Sequence, residues 1–121
     1  MEAARMEVRT YQAQAHTFAD YWKSDKLKDE KFNQFIYPVM GLAEEAGEVV
    51  GKFAKAYRDC NGELTGERRK EIAKELGDVC WFVAEICTNL NLDLESVMEW
   101  NIEKLADRRN RNVIHGTGDN R

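Results

Sequence analysis

The chain is poor in residues that interrupt helices and in residues that bind metals through nitrogen or sulfur. It has one proline, two histidines and three cysteines in 121 residues. One proline leaves long stretches free of helix breakers. Cys60, Cys80 and Cys87 are odd in number and lack metal-type spacing, which argues against zinc and points to a reducing, cytoplasmic setting. Cys80 and Cys87 read as small core residues. The longest apolar run, residues 79–84, falls far short of the ~20 residues of a membrane span. The start, Met1-Glu2-Ala3-Ala4-Arg5, lacks the apolar core of a signal peptide. Positive charge is not in excess: 18 Lys and Arg stand against 22 Asp and Glu, a net charge of −4. A nucleic-acid polymer is therefore not an expected partner. A small anionic ligand remains open, because a bound cation would reverse the local sign.

What is present reads as a single domain over residues 1–121, with 43% hydrophobic and 33% charged residues. Tyr11, Ala15, Phe18 and Trp22 recur at helical spacing and predict a first helix over 10–22, with His16 off the stripe as an exposed polar residue. Residues 23–33 are crowded with charge and read as a solvated connection or frayed helix. Pro38 suits the first turn of a second helix, whose buried stripe is Val39, Leu42, Ala46, Val49, Phe53 and Tyr57. Gly41, Gly47 and Gly51 in that helix suggest close approach of a backbone or ligand. Cys60-Asn61-Gly62 reads as a turn. A third helix begins near Gly66 or Glu67, with Ile72, Leu76, Val79, Val83, Cys87 and Leu90 inside and Trp81 outside. Asp93 is a good N-cap for a fourth, with Leu92 and Val97 as a hydrophobic staple and Leu94, Met98, Ile102 and Leu105 buried. The ending, Gly116-Thr117-Gly118-Asp119-Asn120-Arg121, reads as flexible. No strand shows alternation. The expectation is an all-α, four-helix bundle-like fold without a β-sheet.

Two acidic pairs stand out: Glu45 with Glu48, and Glu75 with Asp78, each three residues apart and so on one helix face. Brought together, such carboxylates repel by roughly 3 kcal/mol per pair at ~5 Å and an effective dielectric of about 20. A hard cation such as Mg²⁺ relieves that, and it pairs readily with phosphates. Acids at helical spacing are often only a solvated face. Three features favour a site: both pairs flank apolar stripes, Gly47 and Gly77 thin the bulk beside them, and Asn101, Lys104 and Arg108 form a basic stripe on the fourth helix. Phe82, one turn beyond Asp78, can pack on something bound there. Lys52 can meet phosphate or pair with Glu48. No glutamate is followed three residues later by histidine, which removes the di-iron bundle.

The runs Gly41-Leu42-Ala43-Glu44-Glu45-Ala46-Gly47-Glu48 and Glu75-Leu76-Gly77-Asp78-Val79-Cys80-Trp81 resemble the MazG-like nucleoside triphosphate pyrophosphohydrolases. Tyr11-Gln12, the run Asn101-Ile102-Glu103-Lys104-Leu105-Ala106-Asp107-Arg108 and the ending look like the small single-domain members of phages and mobile elements. The resemblance implies Mg²⁺-dependent conversion of (deoxy)nucleoside triphosphate to monophosphate and pyrophosphate, with deoxynucleotides preferred and Mn²⁺ as a substitute ion. By matching positions it implies Glu45, Glu48, Glu75 and Asp78 as metal ligands, and Glu44 for a water or second metal. Lys104 and Arg108 match positions that contact phosphates, with Asn101 on their stripe; Lys52 is a further phosphate contact or a partner of Glu48, and Phe82 matches a position against the base. It also implies a homodimer or homotetramer, with Trp81 and Trp100 available to its contacts. The alternative is a non-catalytic helical oligomerisation module with a structural metal ion.

Overall fold

A computed structural model describes residues 5–21 and 30–121, with the backbone alone for residues 30–33. Four helices account for it: α1 (Val8–His16), α2 (Glu30–Cys60), α3 (Gly66–Asn89) and α4 (Leu94–Asn110). No strand occurs among the described residues, so the all-α expectation holds. Nor is any described helix long and apolar enough to cross a membrane.

Asparagine ends each of the three long helices. Asn61, Asn91 and Asn112 have φ of 52°, 57° and 61°, the left-handed conformation that asparagine tolerates after a helix. Past α3, Leu92 N–H returns to the Cys87 carbonyl at 2.8 Å; past α4, Val113 N–H returns to Arg108 at 2.8 Å. These bonds satisfy carbonyls that a helix end leaves open. The starts are equally local. Thr65 caps α3 by accepting from Arg68 N–H, and Asp93, the N-cap expected from the sequence, caps α4 by accepting from Ser96 N–H.

α2 and α3 form an antiparallel hairpin that turns at Asn61-Gly62. Gly41 faces Phe82 so closely that a Cβ there would overlap the ring, which explains this glycine. Gly47, Gly51 and Gly77 have nothing within 4 Å of a Cβ, so close approach accounts for Gly41 alone. The small apolar core lies elsewhere, where Ala15 of α1 meets Ala84 and Cys87 of α3 and Leu94 of α4, with Tyr11, Trp81, Val83 and Val97 around it.

Several boundaries and faces differ from the sequence reading. α1 ends at His16 because Thr17 turns its hydroxyl onto the Gln14 carbonyl at 2.6 Å; Phe18 is exposed, and Trp22 lies outside the described residues. Pro38 is inside α2, not in its first turn. A mid-helix proline deprives the carbonyl four residues earlier of its donor. That carbonyl belongs to Gln34, and Asn89 Nδ2 of α3 donates to it at 2.5 Å. The stripe on α2 is only partly covered, with Val39, Phe53 and Tyr57 exposed, the last at 76%. On α3, Leu76 and Leu90 are exposed, while Trp81, expected outside, is half-buried and donates to the Ala15 carbonyl at 3.1 Å. Cys80 is exposed instead of buried. Of the apolar stripe expected on α4 only Leu94 is buried; Met98, Ile102 and Leu105 are exposed, because among the described residues α4 contacts α1 and α3 but not α2.

Candidate metal and phosphate site

The α2–α3 register places the acids. One turn past Gly41 comes Glu45, and one turn before Phe82 comes Asp78, so the contact that aligns the helices also sets these carboxylates face to face. Glu45, Glu75 and Asp78 each offer a carboxylate oxygen, and the three lie within 4.8 Å of one another. Glu45 is half-buried. Burial, a hydrogen bond with Glu75, and the charges of Asp78, Glu75 and Glu44 all push its carboxyl above the ordinary range. An all-oxygen set of this kind fits a hard divalent cation that keeps waters and phosphates as its other ligands. Glu48 and Glu44 are exposed and stand outside the three.

Lys52 reaches across the hairpin to Glu75, 4.0 Å from its oxygen, not along the helix to Glu48. The pair tethers one carboxylate from the far end of the cluster and leaves the ammonium beside it. Phe82 is buried on Gly41 and belongs to a chain of rings. Its centroid lies 5.1 Å from Trp81 and 5.9 Å from Tyr37, and Tyr21 stacks on Tyr37 at 5.0 Å. The cluster thus forms an aromatic wall one turn from the acids.

Asn101, Lys104 and Arg108 do not join the acids within one chain, since α4 does not touch α2. Asn101 is exposed. Lys104 Nζ and Arg108 Nη2 both bind the Asp119 carboxylate, at 3.3 and 3.2 Å. The ending expected to be flexible is folded back. Arg121 donates to the carbonyls of Val113, Ile114 and Gly118, and Arg111 donates to the Arg121 carbonyl at 2.6 Å.

One further constellation escaped the sequence reading. Glu85, fully buried, follows Phe82 on the stripe that carries Glu75 and Asp78. His16 Nδ1 donates to its oxygens at 3.1 and 3.3 Å, and Tyr21 donates at 3.0 Å. Asn89 in turn donates to the Tyr21 hydroxyl at 2.7 Å. Burial foremost, with the Glu85 charge adding to it, pushes the Tyr21 phenol up to about 12, so it remains a donor at neutral pH. The network joins α1 and α3 and reaches α2 through Gln34. A charged residue at core spacing, Glu85 one turn past Phe82, was the available signal.

A family model described as the MazG nucleotide pyrophosphohydrolase domain matches residues 38–113. That span contains every residue of the acid cluster as well as Lys104 and Arg108; Asp119 lies beyond it. Over 116 residues, covering 96% of this chain and all of the relative, the sequence is 40% identical to the Gene 37 protein of Mycobacterium phage L5. No solved structure matches.

Proposed function

The chain belongs to the MazG nucleotide pyrophosphohydrolase family, and on that premise we propose that it cleaves deoxynucleoside triphosphates between the α- and β-phosphates, with Mg²⁺ as cofactor. The observation that carries this reading is the meeting of Glu45, Glu75 and Asp78 within 4.8 Å. Those three residues would hold the ion, and Glu48, one turn along, would be its fourth ligand. Bound there, Mg²⁺ supplies a Lewis acid for the phosphate oxygens; Mn²⁺ substitutes for it. Glu44 orients the attacking water toward the α-phosphorus. The bond to the bridging oxygen breaks, and monophosphate and pyrophosphate leave. Lys104 and Arg108, with Lys52 and Asn101, offset charge on the departing phosphates. Phe82 and its ring neighbours provide the surface for the base.

The reading includes a second copy of the chain, as homodimer or homotetramer. Its support is the exposed apolar side chains of α2 and α4, with Val50, Tyr57, Trp100 and Ile102 all more than half exposed, which a second copy could cover. A second copy would also give the cations of α4 a route to an acid cluster that they do not meet in their own chain.

The test is a panel of deoxynucleoside and nucleoside triphosphates incubated with Mg²⁺, products separated by ion exchange. Monophosphate plus pyrophosphate is expected, fastest from deoxynucleotides. Diphosphate plus orthophosphate, or no turnover of any member, contradicts the proposal.

A further inference from the structure

We propose that the folded-back ending is a built-in competitor for the phosphate site, with the Asp119 carboxylate seated where a substrate phosphate must bind. This rests on the reading of Lys104 and Arg108 as phosphate contacts. Asp119 Oδ1 is shared between Lys104 Nζ at 3.3 Å and Arg108 Nη2 at 3.2 Å, and the Asp119 carbonyl takes a second bond from Arg108 Nη2 at 2.7 Å. One anionic oxygen therefore engages both cations, as a phosphate oxygen would.

Arg108 carries the second observation. It is 5% exposed, whereas Leu105, Asp107 and Arg109 around it are exposed. Its Nε is buried and has no hydrogen-bond partner. A buried guanidinium N–H left unpaired is costly. Asp119 uses only one edge of the fork, so the site is occupied but not filled. A phosphate that displaced the tail could bind two guanidinium nitrogens together.

The tail is built to be displaced as a unit. Arg121 gathers the carbonyls of Val113, Ile114 and Gly118 into a closed loop, and that loop presents Asp119. Yet the Asp119 side chain is 83% exposed, and exposed ion pairs hold weakly. A triphosphate brings more charge to the same two cations and wins the exchange at sufficient concentration. The loop thus raises the substrate concentration needed for binding without touching the carboxylates that hold the ion.

Asp119→Asn keeps size and shape while removing the charge, at a position too exposed to threaten folding. Inorganic tripolyphosphate, titrated calorimetrically without divalent ion, reads the competition apart from turnover. The expected result is a dissociation constant about three- to tenfold lower in Asp119→Asn, the scale that two ion pairs to one exposed carboxylate can carry, with the gain abolished by Lys104→Ala in the same chain. Arg121→Ala, which opens the loop, should tighten binding in the same direction. For deoxynucleotide hydrolysis, KM should fall with kcat unchanged. Equal or weaker tripolyphosphate binding by Asp119→Asn overturns the proposal, because the tail would then be support for the cations. Tighter binding in a protein that hydrolyses no nucleotide leaves the competition standing and removes the pyrophosphohydrolase reading. Hydrolysis with unchanged binding does the reverse.

Discussion

The α2–α3 hairpin and the α4 segment with its tail solve opposite electrostatic problems in opposite ways. The hairpin gathers like charges: Glu45, Glu75 and Asp78 crowd within 4.8 Å, with Lys52 beside Glu75 at 4.0 Å. The α4 end gathers cations and neutralises them internally, through Asp119 on Lys104 and Arg108. The hairpin is held together by helix-on-helix contact, whereas α4 leaves the core after its first turns and exposes Met98, Trp100, Ile102 and Leu105. On the proposed reading, the unbalanced charge between two packed helices suits a ligand of opposite sign. A site that carries its own counter-charge on an exposed loop is one that can be opened.

The largest effect that separates the two regions is on activity. Asp78→Asn or Glu45→Gln should lower kcat/KM by about 10²- to 10³-fold, the scale of losing one preorganised electrostatic group, while leaving the melting temperature equal or higher because repulsion is relieved. Wild-type activity in both variants breaks the assignment of the hairpin as the site. Stability should show the same contrast. Gly41→Ala forces the Phe82 ring off α2 and should cost about 1–3 kcal/mol, measured by urea unfolding. Asn89→Ala removes the donor to the Gln34 carbonyl beneath Pro38, an exposed bond that water can partly replace, and should cost about 0.5–1.5 kcal/mol.

A pH series sharpens the comparison further. The Glu45 carboxyl is raised, so its contribution to stability is present at low pH and is lost as pH rises through its folded-state value. Divalent binding needs the ionised form. The rise in melting temperature produced by Mg²⁺ should therefore be larger at pH 7.5 than at pH 5, and an equal rise at both would contradict the cluster's role. The Asp119 carboxyl is held below its ordinary range by Arg108 and then Lys104, so tail docking persists well below neutrality and is lost only as pH falls through that lowered value. The smallest folding effect is expected on α4: Ile102→Asp should change monomer stability by about 0.5 kcal/mol or less, yet shift the mass measured by light scattering toward the monomer. A large loss of monomer stability would mean that α4 packs within its own chain.

Much of this was legible in the residues. Helix number and order follow from periodicity, the N-cap at Asp93 is visible as a capping residue, and the acid pairs at three-residue spacing announce a shared face. Glu48 shows the limit of that reasoning: spacing puts it on the face of Glu45, but the register fixed by Gly41 and Phe82 brings only Glu45 up to the α3 carboxylates. Pro38 was read as a helix start because its missing N–H is harmless there; the side chain that makes it tolerable in mid-helix, Asn89, is 51 residues away. The ending reads as flexible because it is polar throughout, and the clasp lies in Arg121, whose three carbonyl partners no periodicity reveals. Glu85 was hidden by its own rarity, since a fully buried carboxylate becomes acceptable only when His16 and Tyr21 arrive from α1 and the loop after it.

The central claim is that Glu45, Glu75 and Asp78 clasp one divalent ion between α2 and α3. Titration of the protein with Mn²⁺, followed by electron paramagnetic resonance of the free ion, tests it without reference to any substrate. Saturable binding that is lost in both Glu75→Gln and Asp78→Asn is the predicted result. Binding that survives in both variants with unchanged affinity would contradict the account.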